Sequence, residues 1–282
     1  MRSNKILSVA TALLAIMVAA SAGTVLVANL LFRRNIERKV TKLFAAGAMA
    51  EPAMVTEVDL AGLPEPVQRW MRRANVVGKP RATAVRLRQT GRIRENPEDD
   101  WMELDAVEYY TVDPPAFLWH GSVKPMGVVQ AVDAYVQGRG GLNVTLLSLF
   151  PMDSSTGATA DQGSALRYLN ETMWFPSAAL SEKISWEAVD ANSARATLSD
   201  HGQRVSAIFY FNDEGDVIDC VAERYRGEDE LLTWSTPLSA HGEFDGVRVP
   251  TMGQGVWHPE SGEFAYIELE IADVEYNVAA PY

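Results

Sequence analysis

Cysteine is almost missing from this 282-residue sequence. The single Cys220 excludes an internal disulfide framework and a cysteine-clustered zinc site. Histidine is nearly as scarce. His120, His201, His241 and His258 form neither H-x-x-x-H nor H-E-x-x-H, and each falls on a different candidate strand or turn, so no metal is assigned. There is no G-x-S-x-G, and Cys220 lies within an alternating stretch; it reads as a core thiol, not as the nucleophile of an elbow-type hydrolase. Gly138-Arg139-Gly140-Gly141 is glycine-rich, yet no Lys-Ser/Thr follows it and a strand precedes it. It reads as a turn or bulge and not as a phosphate cradle. No motif implies a cofactor.

Charge is present but uneven. The formal net charge is −12; residues 1–42 hold seven Lys/Arg and one Glu, and the remainder holds 18 against 36 Asp/Glu. A basic foot under an acidic body argues against nucleic acid as a partner. Residues 6–32 form an uncharged run of 27 residues. At about 1.5 Å rise per residue that is long enough for a hydrocarbon core of roughly 30 Å. A cleaved signal peptide with Ala20-Ser21-Ala22 as its processing site is the rival reading. The apolar run continues for ten residues past that site, which favours an uncleaved single-pass anchor in the cell membrane. Arg33, Arg34, Arg38, Lys39 and Lys42 follow, interleaved with Ile36, Val40, Leu43 and Phe44 at helical spacing. That pattern suits anionic headgroups, and it also suits a simple stop-transfer cluster. Five basic residues after the span against two before it lean towards a cytoplasmic body.

The chain divides into an anchor (1–32), a basic juxtamembrane segment and linker (33–62), and an antiparallel β domain with short helices (63–282). Pro64-Glu65-Pro66 starts a helix with Val67, Trp70 and Met71 on one side, docked on the outside or mouth of the β domain. From Arg81 the period changes to two: Val85, Leu87, Gln89, Gly91 and Ile93 alternate with Arg86, Arg88, Thr90, Arg92 and Arg94. Glu103 and Asp105 on the next segment are the expected cross-strand partners of the arginines, with an anionic ligand on that face as the alternative. Further strands are expected over 117–123, 128–137, 183–189, 194–199, 205–212, 217–225, 231–244, 247–256 and 264–276. No long helix separates successive strands in most of this series, so a meander is favoured over βαβ units.

The stretch 161–180, DQGSALRYLNETMWFPSAAL, is the pivot. Ala165, Leu166, Leu169 and Met173 share one helical face. Asp161 is the expected N-cap, and Phe175-Pro176 ends the helix because the residue before proline is pushed out of the α region. Arg167 and Glu171, one turn apart, read as a helix-surface ion pair. The blocks 133–152 (DAYVQGRGGLNVTLLSLFPM), 161–180 and 184–198 (ISWEAVDANSARATL) resemble a bacterial family of unknown function comprising membrane-anchored β proteins. The resemblance rests on the GRG turn, the LFP step, the DQG helix start and the WFP corner, runs from Leu63 onward, and departs at Gly141 and Ser164. It implies no activity. A curved antiparallel sheet with helices on its concave face is also distantly similar, as a fold, to the half-barrel of lipoprotein-carrier proteins, and that analogy leans towards an exported body.

The expected architecture is mainly β (α+β): a curved antiparallel sheet or half-barrel packed against one or two helices, preceded by an N-terminal transmembrane helix. The expected function is binding of a lipid or other apolar ligand in a groove between sheet and helix, lined by Trp70, Trp119, Leu169, Trp174 and Phe175. Two other classes stay open. One is an enzyme acting on a membrane-proximal substrate through Asp161, Glu171 or a histidine. The other is an envelope scaffold that docks another membrane or envelope protein. An open apolar groove beneath Trp174 favours binding, a filled one the scaffold, and buried carboxylates beside a histidine the enzyme. The anchor has a direct test: the full-length protein is expected to stay in the membrane fraction through high-salt and alkaline washes. A soluble form beginning near Gly23 would show a processed signal peptide instead.

Overall fold

The computed structural model describes residues 2–47, 51–124 and 128–282, and the side chains of its first helix from residue 17 onward, residue 18 apart. Three helices come first: α1 (Arg2–Ala46), α2 (Glu57–Leu60) and α3 (Glu65–Arg73). Six strands follow, β1 (Ala84–Ile93), β2 (Met102–Thr111), β3 (Ala116–Val123), β4 (Val129–Val136), β5 (Arg139–Leu146) and β6 (Phe150–Ser155). Helix α4 (Ala158–Glu171) leads through 3-10 turns at Thr172–Trp174 and Pro176–Leu180 into the second run of strands. These are β7 (Ile184–Asp190), β8 (Ser193–Asp200), β9 (Gln203–Phe211), β10 (Val217–Arg226), β11 (Glu230–Ser235), β12 (Leu238–Phe244), β13 (Val247–His258) and β14 (Phe264–Tyr276).

Among the described residues all 14 strands belong to one antiparallel sheet, curled into a half-barrel, in the order β6-β5-β4-β3-β2-β1-β14-β13-β11-β10-β9-β8-β7 with β12 also on β13. The first and last strands therefore meet in the middle, and β6 and β7 are the edges. Helix α4 carries the chain from one edge to the other. It does so across the concave face, touching β4 and β5 on one half and β8, β9 and β10 on the other. Its Ala165, Leu166 and Leu169 join the inward residues Leu87, Tyr110, Phe117, Tyr135 and Phe209 in one core. The alternation of each strand supplies those residues, since every second side chain points into the curl.

Helix α3 is not on the outside. Val67, Trp70 and Met71 are all buried in the main core. The ring of Trp70 lies 6.0 Å from Trp186, 6.0 Å from Phe209 and 5.8 Å from Phe211.

Some expectations change where long-range pairing decides. The cationic face of β1 is neutralised mainly from β14 and not from β2: Arg86 pairs with Glu275 at 2.7 Å and Arg92 with Glu268 at 2.6 Å. Glu103 and Asp105 face Lys124 instead. The expected strand 231–244 is broken at Thr236-Pro237 into β11 and β12, because proline has no N–H for a ladder. Strands β5 and β6 were hidden by their glycines and proline. Gln137 and Gly138 take positive φ (53° and 76°) and make the tight turn, so Arg139 already belongs to β5. The FPMDSS segment is an exposed edge strand, a place where proline is tolerated.

The basic helix also has another partner than expected. Ile36, Val40, Leu43 and Phe44 of α1 are buried against Ala84, Tyr109, Ala116, Leu118 and Val132, the outward residues of β1 to β4. The apolar stripe read as membrane-facing is thus covered by the sheet, and the basic side chains of Arg33, Arg34, Arg38, Lys39 and Lys42 remain exposed. Among the described residues no helix is long and apolar enough to cross a membrane. The side chains of residues 6–16 in the expected transmembrane span lie outside the described residues.

The docking of α1 is testable through Phe44, which is buried and lies edge-on to Tyr109 with centroids 6.0 Å apart. Phe44→Ala is expected to destabilise the protein by about 3 kcal/mol in urea unfolding. An unchanged midpoint would mean that α1 does not pack on the sheet in solution.

Candidate ligand-binding cavity

The start of α4 is fixed from the side. Gly157 is the N-cap, and Asp161, the cap expected from the sequence, sits inside the first turn. Its carboxylate accepts the Gly140 backbone N–H at 2.8 Å and the Arg139 guanidinium at 2.9 Å. Gly140 allows this approach: a Cβ there would lie 2.4 Å from the Ala160 carbonyl oxygen and 2.5 Å from Ser164 Oγ. The GRG and DQG motifs are therefore two sides of one contact.

Nearly two turns further on, Arg167 enters the concavity. The expected surface ion pair with Glu171 is buried, with side-chain exposures of 15% and 6%. The guanidinium donates to Glu171 at 2.7 Å, Asp133 at 2.9 Å and Glu108 at 3.0 Å. It also lies 5.1 Å from each of the Phe117 and Trp119 ring centroids. Tyr110 donates its hydroxyl to Glu171 at 3.1 Å, Gln89 donates to Glu108 at 3.3 Å, and the Trp119 indole donates to Gln89 at 2.9 Å. Burial, with the nearby charge of Glu171, pushes the Glu108 carboxyl well above the usual range despite the opposing pull of Arg167. Burial raises Glu171 as well, against Arg167. For Arg167 burial opposes the charge, and the surrounding carboxylates outweigh it.

Beside this network lies a cavity of about 200 Å³ between the sheet and the end of α4. Ile93, Trp119, Leu142, Met173, Trp174 and Leu269 form much of its apolar wall. Its polar lining includes Asp133, Arg167 and Glu171 on one side, with Asn170, Arg224, Trp234 and Thr236 elsewhere. Gly253 and Gly255 of β13 also line it, and a Cβ at Gly255 would meet Tyr266 at 2.7 Å and Ile267 at 2.8 Å. A larger hollow of about 660 Å³ lies along β1, β2 and β12 to β14. Its prominent charges, Arg92 with Glu268 and Lys124 with Asp105, are already paired, so the smaller space is the better candidate.

Of the five residues expected to line a groove, Trp119 and Trp174 meet at this cavity. Phe175 lies beyond the corner, 4.7 Å from the Tyr110 ring and beside a separate space of about 230 Å³. Trp70 and Leu169 are in the core. The histidines stay apart, bound to Gln130, Asp200, Val217 and Ser235 respectively. None is hydrogen-bonded to the carboxylates of the Arg167 network among the described residues. Burial raises the Cys220 thiol well above its usual range. The sequence reading missed Glu108, Asp133, Arg224 and Trp234. A signal for the first two existed: each is a carboxylate at an inward position of an alternating strand, between Ala106 and Tyr110 and between Ala131 and Tyr135.

Fold and site together define an antiparallel half-barrel with a helix laid in its concavity and a small, largely apolar cavity beneath the helix end. Residues 53–269 match the family described as "Family of unknown function (DUF6544)", and the chain belongs to that family. No curated protein matches it. Several solved structures are similar, two of them as follows. A DUF1329 family protein from Desulfovibrio piger is 11% identical with a TM-score of 0.43, over 77% of this chain and 93% of that one. A LolA superfamily protein from Nitrosomonas europaea is 11% identical with a TM-score of 0.45, over 75% of this chain and 94% of that one. At those values neither likeness says what this chain binds.

The raised Glu108 carboxyl has a consequence for stability. A carboxyl whose folded pKa exceeds its unfolded value stabilises fully below the unfolded value, about 4.3, and that contribution is lost as pH rises through the folded one. Wild-type stability is therefore expected to fall, relative to Glu108→Gln, as pH is raised from mild acid towards neutrality and beyond. Urea unfolding of both proteins across that range checks it. Parallel curves would show that Glu108 does not hold the proton.

Proposed function

We propose that the protein binds a small apolar molecule, or one short apolar segment of a lipid, in the cavity beneath Trp174. The observation that carries this reading is the space itself, which is mostly apolar with a few polar groups at its walls, the usual character of a ligand site. Size limits the occupant. An apolar cavity of roughly 150 Å³ stays dry and accepts benzene. Drug-sized ligands use about 300–1,000 Å³. At about 200 Å³ the site accommodates one ring or a short alkyl stretch and not a whole diacyl lipid. The scaffold reading expects a filled space here. The enzyme reading is weakened because Asp161 and Glu171 are both tied to arginines.

The setting we propose is a membrane. The support is the uncharged run 6–32, the exposed Leu26, Val27, Leu30 and Leu31, and the exposed basic residues after them. An anchored protein of this kind holds its cavity close to a source of apolar ligand.

Isothermal titration of the full-length protein in amphipol with 1-hexanol is expected to show saturable one-to-one binding. Leu142→Phe, which fills part of the space, is expected to weaken it strongly while the protein stays folded. Trp174→Ala is expected to cost about 3 kcal/mol of stability, the low end for a large aromatic, because one side of the indole already borders empty space. Equal, non-saturating uptake by wild type and Leu142→Phe would sink the reading.

A further inference from the structure

Eight buried side-chain nitrogen or oxygen atoms lack a hydrogen-bond partner among the described residues, and four of them belong to residues lining this one cavity. They are Asn170 Oδ1, Arg224 Nε, Trp234 Nε1 and Thr236 Oγ1. Buried polar groups are ordinarily paired, so such a concentration at one wall calls for an explanation. Two of the four are N–H donors and a third is a hydroxyl, which makes the group rich in donors.

Arg224 carries the argument further. Unlike Arg167, it makes no ion pair among the described residues. Its guanidinium lies 4.7 Å from the Trp234 ring centroid and 5.7 Å from that of Trp257, and its one hydrogen bond among the described residues is long, 3.4 Å, to the Tyr266 hydroxyl. Its Nε lies against helix α4, where a Cβ at Gly163 would be 3.4 Å away, an ordinary packing distance. Trp234 and Thr236 are two residues apart and both line the cavity, so their side chains lie on the same face of this stretch. Asp219, beside Thr236, accepts the Cys220 and Thr236 backbone N–H groups.

Resting on the apolar binding proposed above, we infer that the ligand is a monocarboxylate with an apolar tail, its carboxylate held by Arg224 and the Trp234 indole N–H. A guanidinium and an indole N–H present donors suited to carboxylate oxygens, and a charged acceptor makes the stronger bond. Asp133 and Glu171 repel an anion from the Arg167 side, so the head sits towards Arg224 and the tail towards Trp119, Met173 and Trp174. The carboxylate has two sources, a short-chain acid and a fatty acid whose tail continues out of the cavity.

The test is a titration of the full-length protein in amphipol with hexanoate, 1-hexanol and dodecanoate. Hexanoate is expected to bind about tenfold more tightly than 1-hexanol, the scale of one hydrogen bond to a charged group. Arg224→Met is expected to abolish that preference and leave 1-hexanol affinity nearly unchanged. Trp234→Phe, which keeps the ring and removes the N–H, is expected to reduce it and serves if Arg224→Met does not fold. Tighter binding of dodecanoate than of hexanoate identifies a fatty acid; the reverse identifies a short acid. Equal affinity of the wild type for hexanoate and 1-hexanol overturns the carboxylate assignment while leaving apolar binding in place. Saturable binding of neither overturns both.

Discussion

One guanidinium decides where the central helix lies. Arg167 is largely withdrawn from water and meets carboxyl groups from β2, from β4 and from its own helix. Desolvating such charges is expensive, and the attraction repays it only when every partner is in place. Removing one member strands the others, so a sideways shift of α4 is strongly disfavoured. The chain needs that constraint. Helix α4 is the link between the two edges of the sheet, and apolar packing alone would define its position along the concavity less sharply.

The network also shapes the empty space beside it. Arg167, Asp133 and Glu171 form a rigid polar wall, and the 3-10 turn after Glu171 brings Met173 and Trp174 round to another side. Phe175 then turns into the core beside Tyr110 and Tyr168, which holds the corner. On β13, Gly255 lets Tyr266 and Ile267 pack close against the strand, since even a methyl group there would collide with Tyr266. The cavity is therefore bordered by groups that cannot easily relax into it, which is why it persists in a densely packed interior.

The two faces of the sheet do different work. The concave face carries the core, the Arg167 network and the cavity, while the outer face of β1 to β4 is covered by α1 and by Tyr282. That second packing layer physically couples the basic N-terminal helix to the same strands whose inner residues support the site. Tyr109 and Tyr110 are adjacent in β2, one facing α1 and the other bonded to Glu171.

The sequence by itself determined much of the architecture. Period-two alternation places an inward and an outward face on each strand, and steric clash before Pro176 ends the helical path near Phe175, both of which are local effects. It also brought Trp119 and Trp174 forward as lining residues. Tertiary structure alone decided the partners. Arg92 lies opposite Glu103 on one side and Glu268 on the other, and it pairs with the latter. The stripe of α1 suits lipid and sheet equally, because apolar side chains do not encode what covers them. Glu108, Asp133 and Arg167 lie far apart in the chain, and their local patterns showed at most a misplaced charge on an inward face. Only the curl of the sheet brings them within hydrogen-bonding distance, where loss of water turns three ordinary side chains into the group that fixes the helix.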